Sequence, residues 1–178
     1  MSPGKKLAAI SLSTMQFDKI TWVLSATCFL PFLFHLIPWH FPVPIGAVWL
    51  PMFYAPCLAA LLYRPHVGIF AALIAPSLNS VLFGRPENQM VLSLTVDLLV
   101  FTMLTWEISK RFMMIAPLIG FLTAKLVGQI LFRGASGSLF SLESWTLWVK
   151  HLGLSFPGIL MLFVISIFCI RWKENGNP

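Results

Sequence analysis

Six apolar runs, each close to the ~20 residues that a bilayer's hydrocarbon core demands, constrain this chain more than any other feature. They extend from about Ile20 to Trp39, Ile45 to Tyr63, Val67 to Phe83, Gln89 to Trp106, Phe112 to Phe132 and Leu152 to Ile170. The links between them are "PWHFPVP", "RPH", "GRPEN", "EISKR" and the longer "RGASGSLFSLES". Proline, glycine and charge in such links stop helices and belong in water. The second run is the least sharply bounded, because Pro51 and Pro56 interrupt it. The chain is 58% hydrophobic and 10% charged, whereas a soluble domain is about 45–50% apolar and about 25% charged. The expected class is therefore all-α integral membrane, a multi-pass bundle of six transmembrane helices in one compact domain. Residues 1–19 form an N-terminal segment, 20–172 the membrane domain and 173–178 a short tail.

The net charge of +6 raises the question of nucleic acid, and its placement answers it. Basic residues stand singly or in pairs at the ends of apolar runs, with no aromatic-studded basic stripe, so no nucleic-acid partner is expected. They read as topology signals instead. With a cytoplasmic N-terminus, Lys5, Lys6, Lys19, Arg64, Lys110, Arg111, Arg171 and Lys173 lie inside, and Arg85, Arg133 and Lys150 outside. That bias of eight against three places both termini in the cytoplasm. No cleavable signal peptide is expected: Gln16, Asp18 and Lys19 interrupt the chain before any long apolar core. Tryptophans gather near span ends (Trp39, Trp49, Trp106, Trp145, Trp148, Trp172), as an interfacial aromatic belt in contact with lipid requires.

One letter in the fourth run does not belong there. In "QMVLSLTVDLLVFTMLTW", Asp97 is the single charged residue, and a carboxylate within a bilayer costs about 2.5–3.5 kcal/mol on insertion scales. The twelfth basic residue, Lys125, sits within the fifth run. In this topology each lies seven or eight residues from the outer end of its helix, ~10–12 Å deep at ~1.5 Å per residue. Opposite charges at matched depth on consecutive helices face each other or a shared polar hollow. Two readings follow: a salt bridge that fixes how the helices dock, or a ligand site in the outer half of the bundle. Gln129, one turn beyond Lys125, and Asn79, near the outer end of the third run, would add hydrogen bonds. Phe101, one turn below Asp97, could floor an aromatic-lined pocket. Of the histidines, His40 alone stands as a candidate ligand contact, in the outer loop after the first run.

Small residues form a second pattern. Gly120, Ala124 and Gly128 recur every four residues on the fifth run, and Gly68 and Ala72 do so on the third. Such ladders let helix backbones approach closely, within the chain or against a partner. The cysteines Cys28, Cys57 and Cys169 lie in apolar runs without metal-ligand spacing and read as packed free thiols. No glycine-rich phosphate loop, H-E-x-x-H zinc motif or G-x-S-x-G elbow occurs. Neither an enzyme nor a bound cofactor or metal is expected.

The stretch "WLPMFYAPCLAALLYRPHVGIFAALIAPSLNSVLFGRP" resembles the central region of the S components of energy-coupling factor (ECF) transporters. One large branch of that family reads approximately "hLPVLLAGLLLGPxxGxLVGLLSPLLSxLLTGMPP" there. "SLTVDLLVF" resembles the family's "MALELATYG", which sets Asp97 on its glutamate. "FLTAKLVGQ" is similar to "AMLAGRLVYG", which sets Lys125 on its arginine, and "LSFPGILMLFVISIF" is similar to "TGLPGILLQLVLIPLL". The likeness covers about Trp49 to Ile170, in order. It implies a six-helix substrate-binding subunit in a bacterial or archaeal cytoplasmic membrane. Such a subunit captures a vitamin-like nutrient from outside and delivers it with a T subunit and two ATPases. The chain departs from the family in three places. Arg64 in "YRP" stands where "LGP" is usual, the first helix offers only Thr21 and Ser25 as small docking residues, and Asp and Lys replace Glu and Arg. Lysine presents a point charge in place of a bidentate plane. Rod-shape-determining membrane proteins, which also have several spans and no enzyme motif, offer an alternative likeness: a scaffold whose Asp97–Lys125 pair is a helix clamp.

Overall fold

A computed structural model describes residues 3–40, 42–84, 88–135 and 142–175. All regular elements among them are helices: α1 (Pro3–His35), α2 (Ile45–Trp49), α3 (Pro51–Leu62), α4 (Pro65–Phe83), α5 (Asn88–Ser109), α6 (Ala116–Ala135), α7 (Leu142–Leu154) and α8 (Phe156–Glu174). Among the described residues four helical stretches are long and apolar enough to cross a membrane: Ile45–Leu62, Pro65–Phe83, Met90–Ser109 and Phe156–Glu174. The apolar part of α6, Ala116–Phe132, is shorter.

The elements start and stop where backbone chemistry requires. Pro65 opens α4 from an extended Arg64, and Gly84 closes it in the left-handed region at φ 66°. The second apolar run is two helices, not one. Leu50 takes φ 54°, ψ 41°, and Pro51 then starts α3. Proline disfavours the right-handed helical region for the residue before it, and a left-handed conformation costs a non-glycine residue about 1–2 kcal/mol. Packing against α8 holds the break. A side chain at Gly158 would come within 2.7 Å of Leu50 Cγ and 2.8 Å of the Trp49 carbonyl group, so only glycine lets α8 approach so closely. The sixth run also divides, and α8 begins at Phe156 after a separate α7.

Helix α3 is the axis of the bundle, packed by α1, α4, α5 and α8. Nearly all of it is buried. On it Phe53 meets Phe101 of α5 and Phe121 of α6 edge-on, with centroids 5.1 and 5.3 Å away. These are the preferred offsets for ring quadrupoles. Cys28, Cys57 and Cys169 are buried free thiols, as their apolar surroundings imply. Large apolar side chains such as Trp22, Val81, Leu92 and Phe156 face outward.

Helices α5 and α6 share the longest seam. The ladder on α6 is buried there, and its complement on α5 is a row at the same interval: Asp97, Phe101, Thr105. A Cβ at Gly120 would collide with Thr105 Oγ1, and one at Gly128 would collide with Asp97 Oδ1. Likewise Gly68 of α4 admits Thr102 Cγ2, which a Cβ there would meet at 2.6 Å. Both ladders, with Ala72 and Ala124 fully buried, are therefore used within the chain. Thr21 and Ser25 of α1 are exposed.

Candidate functional site

The lone acid and the lone base of the apolar runs meet. Lys125 Nζ donates to Asp97 Oδ2 at 2.5 Å, linking α6 to α5. The lysine is also close to two aromatic faces, 5.6 Å from the Phe53 centroid and 5.8 Å from that of Phe121. These distances are within reach of a cation–π attraction. Asp97 Oδ1 is buried, has no hydrogen-bond partner among the described residues, and lies against Gly128.

Beside the pair is a cavity of about 270 Å³. Its α5–α6 wall carries Ser93, Asp97, Lys125, Gly128, Gln129 and Phe132. The opposite wall comes from α2, the Leu50 break, α7 and the start of α8: Ala47, Leu50, Trp148, His151, Leu152 and Ser155. One hydrogen bond ties the walls together, and a second set braces the opposite wall internally. Trp148 Nε1 donates to the Lys125 carbonyl at 3.3 Å. The Ser155 hydroxyl lies 2.9 Å from both the Ala47 and the His151 carbonyls.

Asp97, Lys125 and Gln129 are brought together at this cavity. The other three candidate contacts are elsewhere. Phe101 is fully buried one layer behind, against Phe53, so Phe53 and Phe121 are the rings beside the lysine. Asn79 is 2% exposed on α4, its Nδ2 without a partner among the described residues, and it does not border the cavity. His40 is exposed in the segment after α1 and does not line the cavity either. Sequence reasoning missed Ser93, Trp148, His151 and Ser155. Ser93 stands one turn before Asp97 and was legible by helical spacing. The residues of α7 were not, because that helix lies in what reads as a polar link running into a span. Among the described residues no three His, Cys, Asp or Glu side chains converge as metal ligands would.

Chemically, the site offers one ion pair, a hydroxyl on each wall, an amide, an imidazole and an indole around a small hollow. Such groups are chemically able to bind and orient a polar molecule. Comparison with family models, with curated proteins and with solved structures found no match for the chain.

Proposed function

We propose that this protein is a substrate-capture subunit of an ECF-type importer. It spans a bacterial or archaeal cytoplasmic membrane six times, with both termini inside. It binds a small water-soluble, vitamin-like nutrient in the Asp97–Lys125 cavity and delivers it with a T subunit and two ATPases. The observation that carries the reading is the ion pair bordering a cavity of about 270 Å³. Clamping two helices needs no ion pair, since well-packed apolar residues in its place are often as stable or more so. Ligand pockets are about 300–1,000 Å³ with a few placed polar groups, and this hollow falls just below that range. The resemblance of Trp49 to Ile170 to ECF S components supports the same reading.

Mass spectrometry of small molecules retained by the protein purified in mild detergent tests it. A nutrient-sized compound retained by the native chain, lost from Lys125→Met and changed in its retention by Asp97→Asn is expected to be the substrate. Retention unchanged in both variants would place the substrate elsewhere. The scaffold reading draws on the same pair as a tie between α5 and α6. Co-purification separates the two, with an ATPase pair and a T subunit on one side and cell-wall proteins on the other.

A further inference from the structure

The two members of the ion pair are not equally available to a ligand. Asp97 is only 6% exposed at its side chain, against 29% for Lys125. One carboxylate oxygen accepts from the lysine, and the other is sealed against Gly128 where any Cβ would collide with it. Oδ1 is thus out of reach of a molecule in the cavity, and Oδ2 already faces the lysine. An ammonium group has three donors, and among the described residues Lys125 spends one of them, on Asp97. The Phe53 and Phe121 rings, 5.6 and 5.8 Å away, also favour the charged amine. Trp148 holds the lysine's own carbonyl, which limits how far α6 can shift beneath it.

We infer that the cavity takes a small organic monoanion, its carboxylate seated on the Lys125 ammonium, with Asp97 a positioning residue that acts through the lysine. This rests on the capture reading above and narrows its substrate class. The single charge is set by Asp97. With that carboxylate 2.5 Å from the ammonium, a dianion would meet repulsion that a monoanion meets only once. On the far wall, the Ser155 hydroxyl directs its hydrogen to a backbone carbonyl, so it presents lone pairs and accepts from a donor on the ligand. A lipid phosphodiester is also a monoanion, and it is the competing source of this chemistry.

The test uses the full chain in nanodiscs of phosphatidylcholine. Three matched series of nutrient-sized probes are compared by tryptophan fluorescence and native mass spectrometry: monocarboxylates, their primary amides and the corresponding amines. Monocarboxylates are expected to bind and the other two series to fail. Lys125→Met should weaken carboxylate binding by about tenfold or more, the loss of one charge-assisted hydrogen bond, and Lys125→Arg should restore most of it. Asp97→Asn should bind monocarboxylates at least as tightly as the native chain and should newly accept dicarboxylates, a gain that mere loss of structure cannot produce. Thermal melting of each variant identifies any that fails to fold, and the native chain's preference among the series stands without them. Preference for amines or amides overturns the anion assignment and leaves the capture reading intact. Failure of every series to bind overturns both. Equal loss of carboxylates from folded Asp97→Asn and Lys125→Met overturns the positioning role. Displacement of bound carboxylate by phosphatidylglycerol added to the nanodisc assigns the site to a lipid headgroup and overturns the small-molecule occupant.

Discussion

Two lysine–carboxylate pairs in this chain have the same 2.5 Å separation, and almost nothing else about them is alike. Lys110, just past the end of α5, pairs with Glu107 in that helix's last turn, and both side chains are largely in the open, 47% and 62% exposed. Lys125 pairs with Asp97 across the α5–α6 seam, where the acid is nearly enclosed. Each lysine also has aromatic company: Trp106 at 3.6 Å for Lys110, Phe53 and Phe121 for Lys125. The comparison separates geometry from consequence. Where water can solvate either ion alone, the pair contributes little. Where one ion is enclosed, removing its partner leaves a stranded charge, and the cost belongs to the stranded group.

The sharpest way to break the comparison is to delete each lysine's charge. Lys125→Met should destabilise the folded protein by about 3 kcal/mol, the lower end for a broken buried pair because Lys125 keeps some solvent. Denaturant titration in detergent measures it, and Asp97→Ala combined with Lys125→Met should recover most of the loss. A loss under about 1 kcal/mol would place Asp97 in the surface class.

Next in size are the glycines at the two ends of the seam. Gly128→Ala and Gly120→Ala each bring a Cβ onto an α5 side chain, costing about 1–3 kcal/mol by overpacking. Their functional effects should diverge. Gly128→Ala moves the Asp97 carboxylate and should alter ligand retention. Gly120→Ala touches the Thr105 hydroxyl, far from the cavity lining, and should lower the melting temperature alone. Thr105→Ala added to Gly120→Ala should relieve much of that strain, since the hydroxyl has no partner among the described residues.

Smaller again is Ser155→Ala. It removes the hydrogen bond that fastens the α7–α8 junction to α2 and should cost about 1 kcal/mol, read as a shift in denaturation midpoint. The smallest effect belongs to the exposed pair. Lys110→Met should cost about 0.3–0.5 kcal/mol, and that loss should shrink as salt is raised, whereas the Lys125→Met deficit should hardly change.

How far the sequence reaches is clear from individual residues. Asp97 and Lys125 were legible as a pair because each is conspicuous in an apolar run and helical rise sets their depth. The small-residue ladder on α6 was legible too, but not its complement on α5, since Asp97, Phe101 and Thr105 share no common chemistry. Phe101 illustrates the limit. Its spacing from Asp97 permits a pocket floor, yet the rotation of α5 places it in the core behind Phe53. Trp148 and His151 were hidden because α7 carries no span-like run of its own, and its position depends on contacts with α2 and α8.

By itself the sequence determined that the chain is built of helices, roughly where α4, α5 and α6 begin and end, and that an acid and a base lie at one level within them. Those properties follow from apolar run length, proline and glycine placement, and a fixed rise per residue, all local to a segment. Only the tertiary structure decided that the acid is sealed and the base is open, and that a hollow lies beside them. Both depend on how far each helix turns and how closely it approaches its neighbours. Glycines distant in sequence, Gly128 against Asp97 and Gly158 against the Leu50 break, set those approaches through side chains they do not have.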